Sequence, residues 1–169
     1  QHPELLLALL DSGTLHHPLG DEYQQTLVQA VQASAESEAD VTSLSMDTLK
    51  QRLRLNQQQQ MLRLIWRDVT QQASMRDTAA EVSTLAEAAL DVTLEILYQQ
   101  AVAELGVPIG ARSGEPVRMV VIGMGKLGAG ELNLSSDIDL MFAYPESGET
   151  TSENGKEPIT CQQLSLIHI

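Results

Sequence analysis

Apolar residues recur three and four positions apart through the first two-thirds of the chain, which is the spacing of one helix face. The segment from Gln1 to Leu10 predicts a helix, and Asp21 with Gln24 three positions later fits a helix start of the capping-box type. A longer helix is predicted from near Ser45 to near Gln72. The expected apolar face of that helix comprises Met46, Leu49, Leu53, Met61, Leu62, Ile65 and Val69.

The clearest helical pattern begins at Thr78 and Glu81, which form a T-x-x-E capping box. Gly106 supplies a stop signal, and Pro108 follows it. Because such helices must bury their apolar faces against one another, we predict an antiparallel helical bundle. The apolar positions of this last helix are Val82, Leu85, Ala86, Ala89, Leu90, Thr93, Ile96 and Leu97.

The pattern changes near Gly110, where the residues IGARSGEP are typical of a turn-rich linker. Val117–Ile122 predicts a buried strand, Ile138–Tyr144 predicts a second one, and a glycine-rich loop joins them. Residues 147–158 are polar and turn-like. The prediction is an α+β chain, with a helical region over residues 1–110 and the first strands of a second, incomplete domain over residues 111–163.

Composition narrows the possible functions. The chain has 169 residues, a formal net charge of −13, 43% hydrophobic and 20% charged residues, which is an ordinary globular balance. It contains no run of 18 apolar residues, so a membrane-spanning helix is excluded. The single cysteine, Cys161, excludes a disulfide framework. The acidic balance argues against a nucleic-acid surface, but a nucleotide site stays open because metal ions can supply positive charge locally.

The glycine-rich loop first suggests a dinucleotide-binding turn, since Gly123, Gly125 and Gly128 match G-x-G-x-x-G after a strand. That motif must open a crossover helix, and the stretch from Gly128 to Asp137 is too short to hold one. We therefore reject this interpretation, and no Walker P-loop occurs. A plain structural turn with two solvated aspartates is the second interpretation, although two carboxylates on an apolar strand are costly without partners.

A metal-dependent nucleotidyltransferase site is the third interpretation. Asp137 and Asp139 are two positions apart, so on a strand both carboxylates face the same side, as Mg²⁺ ligands must. Two such ions would bind the attacking and leaving oxygens of an in-line transfer. Gly125 and Gly128 would lie at the phosphates, and Lys126 could add a charge against them.

Two serines precede these aspartates. Ser136 is a further candidate for contact with the nucleotide, but Ser135 and Ser136 fit the capping of the loop better. The spacing from Gly125 to the D-x-D pair matches nucleotidyltransferases of the polymerase-β type.

The stretch VVIGMGKLGAGELNLSSDIDLMFAYPE, from Val120 to Glu146, resembles the signature of the glutamine synthetase adenylyltransferase/adenylyl-removing enzyme family. Members carry two nucleotidyltransferase domains, each with a GKLG…SD-x-D motif. The sequence here is similar to the N-terminal, adenylyl-removing copy. The upstream MLRLIWRDVT resembles the segment before that domain. The resemblance covers roughly residues 49–146.

This resemblance implies a cytoplasmic, Mg²⁺-dependent, ATP-binding multifunctional transferase of nitrogen metabolism. Its N-terminal half would remove AMP from a tyrosine of glutamine synthetase by phosphate attack and release ADP. Glutamine synthetase, PII signal protein, nucleotides and phosphate are the implied partners, without nucleic acid or membrane. A third carboxylate is expected on a later strand outside this chain, which alone would then be inactive.

Two other functions stay open. The chain could belong to another nucleotidyltransferase-fold enzyme with a different acceptor, or to a catalytically degenerate module that only binds. The last six residues, Leu164–Ile169, follow no earlier pattern and can be encoded by a sequencing-library adapter. We expect them to be a non-native tail rather than a short strand, and the protein to continue past them.

Overall fold

Helices form the first part of the chain. The computed structural model describes residues 3–20, 22–32, 44–151 and 157–167. The predicted helix start at Asp21 lies outside these residues. No described helix combines the length and the apolar character that crossing a bilayer requires. The elements are α1 (Pro3–Asp11), a 3-10 helix (Thr14–His16), α2 (Tyr23–Gln32), α3 (Met46–Val69) and α4 (Met75–Leu105).

Two antiparallel pairs of strands follow the helices, which confirms the α+β prediction. The elements are β1 (Pro108–Gly110), β2 (Val120–Gly123), α5 (Gly125–Gly128), β3 (Leu140–Ala143), β4 (Gly148–Thr150) and α6 (Cys161–Ile167). Strand β1 pairs with β4, and β2 pairs with β3. The linker and turn predictions were wrong at β1 and β4, because strands of three residues are defined by their distant partner and carry little pattern of their own.

Helix α4 begins earlier than predicted. Its N-cap is Ser74, whose hydroxyl accepts the amide of Asp77 while the Asp77 carboxylate accepts the amide of Ser74. The predicted Thr78 and Glu81 instead lie inside the helix and use their side chains for tertiary contacts. Thr78 donates to Asp68 at 3.0 Å, and Glu81 pairs with Arg67. The predicted stop at Gly106 is confirmed, with φ of 85°.

The buried face of α3 differs from the predicted stripe. Ile65 and Val69 are 41% and 74% exposed, whereas Arg63 and Arg67 are 7% and 6% exposed. The reason is that a polar network runs between the helices and draws the arginine side of α3 inward.

The hydrophobic core lies mainly between α2, α3 and α4, and it extends to the loop that joins β2 to β3. Leu127 and Leu132 of that loop belong to the same buried cluster as the helical residues. The loop is therefore packed directly on the helical bundle. The helical members of the cluster are Tyr23, Leu27, Val31, Leu49, Leu64, Val82, Leu85, Ala88, Val92 and Ile96.

Candidate active site

The candidate site lies at one end of the β2–β3 pair. Gly123, the last residue of β2, is aligned with Leu140, the first residue of β3. One step further, the amide of Met124 donates to the carbonyl oxygen of Asp139 at 2.9 Å. The glycine turn and the two aspartates therefore leave the sheet at the same edge. The antiparallel pairing confirms the rejection of a dinucleotide-binding turn, which requires parallel strands.

A single helical turn, α5, follows β2 and needs its glycines. Gly125 has φ of 54°, a left-handed conformation that favours glycine. A Cβ on Gly128 would overlap the carbonyl oxygen of Gly123, so only glycine allows the turn to fold back on the strand. The Leu127 side chain lies against Gly123 of β2, belongs to the core cluster and is 3% exposed. The backbone of the turn therefore lies close to β2, and its exposed positions Gly125 and Gly128 carry no side chain.

A second turn leads to the aspartates, and Asn133 organises it. The side-chain oxygen of Asn133 accepts the Ser135 amide at 3.2 Å and the Ser136 hydroxyl at 2.7 Å, and the Asn133 carbonyl oxygen accepts the Ser136 amide at 3.1 Å. These bonds agree with the expected loop-capping role of both serines. They also engage the hydroxyl of Ser136, which remains a predicted nucleotide contact.

Asp137 and Asp139 lie in the irregular segment just before β3. The second strand was predicted to begin at Ile138, but the ladder begins at Leu140 because the Asn133 turn holds the preceding chain. Both aspartates are exposed. Neither side chain forms a hydrogen bond or an ion pair with any other part of the chain that the structure describes, so both carboxylates are available to a ligand.

Hard divalent cations prefer such oxygen ligands, so the pair fits a Mg²⁺ ion. Within the described ranges no cluster of three or more His, Cys, Asp or Glu side chains could hold a metal. Asp137 and Asp139 would therefore supply two protein ligands and leave positions open. Lys126, on the turn opposite, is exposed. Its amine is without an ion pair to any described residue.

Sequence reasoning missed two residues that hold the loop. Ser83 of α4 accepts the amide of Leu132 at 3.1 Å, and Asn133 forms the turn before Asp137. The signal for Asn133 was present, since asparagine is a common turn residue whose side chain bonds the backbone two residues on. Ser83 offered none, because its partner is 49 positions away.

Comparison with known proteins places the chain. A family model described as glutamate-ammonia ligase adenylyltransferase matches residues 1–167. The chain belongs to this family. It is 46% identical over 160 residues to the bifunctional glutamine synthetase adenylyltransferase/adenylyl-removing enzyme of Pseudomonas aeruginosa, and 47% identical over 150 residues to that of Nitrosococcus oceani. The relative from Thioalkalivibrio sulfidiphilus is 40% identical over 166 residues.

These matches cover most of the chain but a small part of each adenylyltransferase. They include 95%, 88% and 98% of the chain, and 15%, 14% and 16% of the three relatives. The chain thus spans about one-seventh of the length of the curated relatives that it matches. The family resemblance expected from residues 120–146 is confirmed.

Proposed function

We propose that the chain is part of the adenylyl-removing half of an enzyme that regulates glutamine synthetase by reversible adenylylation. The observation that carries this proposal is the pair of exposed aspartates whose carboxylates bond to no described residue, beside a glycine turn, in a chain of the adenylyltransferase family. The names of the relatives give glutamine synthetase as the protein acted on. The choice of the adenylyl-removing half depends on the similarity of residues 120–146 to the N-terminal copy of the family motif.

The reaction we propose is phosphorolysis. An oxygen of inorganic phosphate forms a bond to the phosphorus of tyrosine-linked AMP, the bond to the tyrosyl oxygen breaks, and ADP leaves while that oxygen takes a proton. Bound Mg²⁺ would neutralise the charge that develops on the phosphate oxygens. Asp137 and Asp139 would hold the metal.

The turn beside the aspartates has the complementary task. The bare backbone at Gly125 and Gly128 would lie against the phosphates, because glycine allows close approach. Lys126 would add a positive charge there, and Ser136 would contact the nucleotide edge of the site. Positioning and charge neutralisation account for most of phosphoryl-type catalysis, so these few groups can carry much of it.

The remaining parts of the proposal concern the whole protein. A third carboxylate would come from a later strand, so the chain alone would be inactive. PII signal protein would set the direction of the reaction in the cytoplasm, and the opposite reaction in the other half would use ATP. We also propose that the helical region ends at residue 110, that the second domain covers residues 111–163 of this chain, and that the tail from Leu164 is non-native.

Replacing Asp139 in the intact enzyme tests the function. We expect Asp139→Asn to lower phosphate-dependent release of ADP from adenylylated glutamine synthetase by about 1,000-fold, because a lost metal ligand removes charge stabilisation worth several kcal/mol. Glu131→Gln is the matched control, since Glu131 is an exposed acid of the same segment, outside the proposed metal site, and it should keep wild-type turnover. Unchanged ADP release by Asp139→Asn would refute the assignment, and release that requires another adenylylated acceptor would favour a different nucleotidyltransferase.

A further inference from the structure

Helix α4 makes one polar contact with the segment 124–139 that carries the candidate site. The Ser83 hydroxyl donates to the carbonyl oxygen of Ala79 at 2.9 Å and accepts the amide of Leu132 at 3.1 Å. Ser83 is 3% exposed, so this contact is shielded from water. Because its proton is committed to Ala79, the oxygen lone pairs are left to face the Leu132 amide. Among the described helical residues, no other side chain hydrogen-bonds to this segment.

Leu132 is the last fully buried residue before the aspartates, and Leu134, which is partly buried, also packs against the core. The Leu132 side chain is 2% exposed and belongs to the core cluster with Leu85 and Val92. The next four residues, 133–136, form the turn held by Asn133, and Asp137 follows at once. Since that turn is closed by its own hydrogen bonds, the position of Leu132, together with the packing of Leu134, sets where Asp137 begins.

The other end of the segment is fixed independently. The amide of Met124 is bonded to the carbonyl oxygen of Asp139, which attaches the second aspartate to the sheet. Asp139 is therefore placed by β2, and Asp137 is placed by the contact between α4 and Leu132. The separation of the two carboxylates depends on both anchors.

We propose that Ser83 is a positioning residue of the candidate active site, which sets the separation of Asp137 and Asp139 through the Leu132 amide. The inference rests on the proposed function for its catalytic meaning, since it assumes that both aspartates bind the same metal centre. It assigns to the helical region a part in building the site.

The test compares three variants of the intact enzyme. Ser83→Ala removes the acceptor, Ser83→Thr keeps a hydroxyl, and Thr84→Ala is the matched control. Thr84 is the next residue of α4, and its hydroxyl also donates to a carbonyl four positions back, that of Ala80, but Thr84 is exposed and does not touch the loop. The readouts are hydrogen exchange of the Leu132 amide, Mg²⁺ binding by calorimetry, and the kcat and KM of phosphorolysis.

For Ser83→Ala we expect faster exchange at Leu132 and a Kd for Mg²⁺ raised about 10- to 100-fold, as is typical when a residue that orients a metal ligand is lost. The kcat should fall with little change in the KM for adenylylated glutamine synthetase. Ser83→Thr should restore slow exchange and Mg²⁺ affinity together, and Thr84→Ala should change neither.

Fast Leu132 exchange in Ser83→Ala with wild-type Mg²⁺ affinity would overturn the proposal, and so would weakened Mg²⁺ binding with Leu132 still protected. Exchange and metal binding are measured without the protein substrate. They therefore judge Ser83 even if Asp139→Asn retains phosphorolysis and the proposed function fails.

Discussion

The helical bundle and the loop between β2 and β3 treat charge in opposite ways. In the bundle, Arg67 and Glu81 are 6% and 9% exposed and are bonded to each other, and Glu81 also accepts the amide of Leu19 at 2.9 Å. In the loop, the Asp137 and Asp139 carboxylates are exposed and bond to no described group. The bundle thus uses charge to hold helices together, whereas the loop keeps charge free for a ligand.

The contrast shows how the two regions divide their tasks. Burial lowers the pKa of Arg63, whose charge interacts with those of Glu81, Arg67 and Tyr23, and burial raises the pKa of Tyr23 to about 12. In the loop, the Asp137 and Asp139 side chains are exposed to water. Rigidity around the loop comes from backbone hydrogen bonds and from two buried leucines instead.

Breaking the buried pair should have the largest effect on stability. Glu81→Gln leaves the Arg67 charge buried without its partner, and we expect the free energy of unfolding to fall by about 3–5 kcal/mol. Urea unfolding followed by circular dichroism measures this. The control is Glu95→Gln, since Glu95 pairs with Arg118 at 2.7 Å on the surface and its loss should cost at most about 1 kcal/mol. Equal losses in both variants would contradict the contrast.

Filling the space at Gly128 tests the loop side of the comparison. Gly128→Ala places a Cβ against the carbonyl oxygen of Gly123, and overpacking of this kind costs about 1–3 kcal/mol. The same urea titration measures it. Ala129→Ser, at the exposed next position, should stay within about 0.5 kcal/mol of the wild type. A Gly128→Ala protein as stable as the wild type would show that the turn does not need this close approach.

Removing the cap of α4 should have a smaller effect. Ser74→Ala deletes the hydroxyl that accepts the Asp77 amide, and the loss of such a cap costs about 1 kcal/mol. Thermal unfolding is the measurement. The alternative start predicted from the T-x-x-E pattern makes the opposite forecast, namely no effect at Ser74, so this variant decides between the two caps.

Lowering the pH should have the smallest effect on the free energy of unfolding. The group concerned is Asp77, an exposed carboxylate with hydrogen-bond partners. Hydrogen bonds from the Ser74 hydroxyl and amide lower the pKa of Asp77 in the folded state. Its contribution to stability is therefore present above the unfolded pKa of about 3.9 and is lost as the pH falls through the lower, folded value. Between pH 5 and acid, Ser74→Ala should lose less stability than the wild type, as measured by midpoints of unfolding.

Glu146 provides the internal reference for that experiment. Hydrogen bonds from Ser113 and the Arg112 amide lower its pKa in the same way, and Ser74→Ala does not touch them. An acid loss from Glu146 should therefore persist in both proteins. If the stability of Ser74→Ala no longer fell in acid, Glu146 would make no contribution of its own. The assignment of separate contributions to Asp77 and Glu146 would then be wrong.

The sequence predicted elements that are defined by local pattern. Helix α3 and the end of α4 at Gly106 follow their capping and stop residues closely, and β2 and β3 were found because apolar runs mark them. The prediction that the first strand is buried was wrong, since β2 begins at Val120 and its Val120 and Ile122 are 53% and 46% exposed. The family signature also pointed to the loop that the fold holds at one edge of a sheet. All of these depend on residues that are near one another in the chain.

What the sequence could not give depends on distant partners. Thr78 and Glu81 satisfied a capping pattern, yet their side chains bond to α3 instead. Thr78 donates to Asp68, and Glu81 pairs with Arg67. Arg63 was not expected inside the bundle, since no local rule buries an arginine. The contact of Ser83 with Leu132 joins two segments that each look ordinary alone.

The buried ion pair and the contact with the loop are made by side chains at nearby positions of one helix. Glu81 and Ser83 are two residues apart on α4, a single helix of 31 residues. At 1.5 Å per residue their backbones are separated by about 3 Å along the axis. A displacement of α3 that moves Glu81 would therefore reach Leu132 within the same turn, so the buried ion pair is structurally coupled to the edge of the sheet that carries the candidate site.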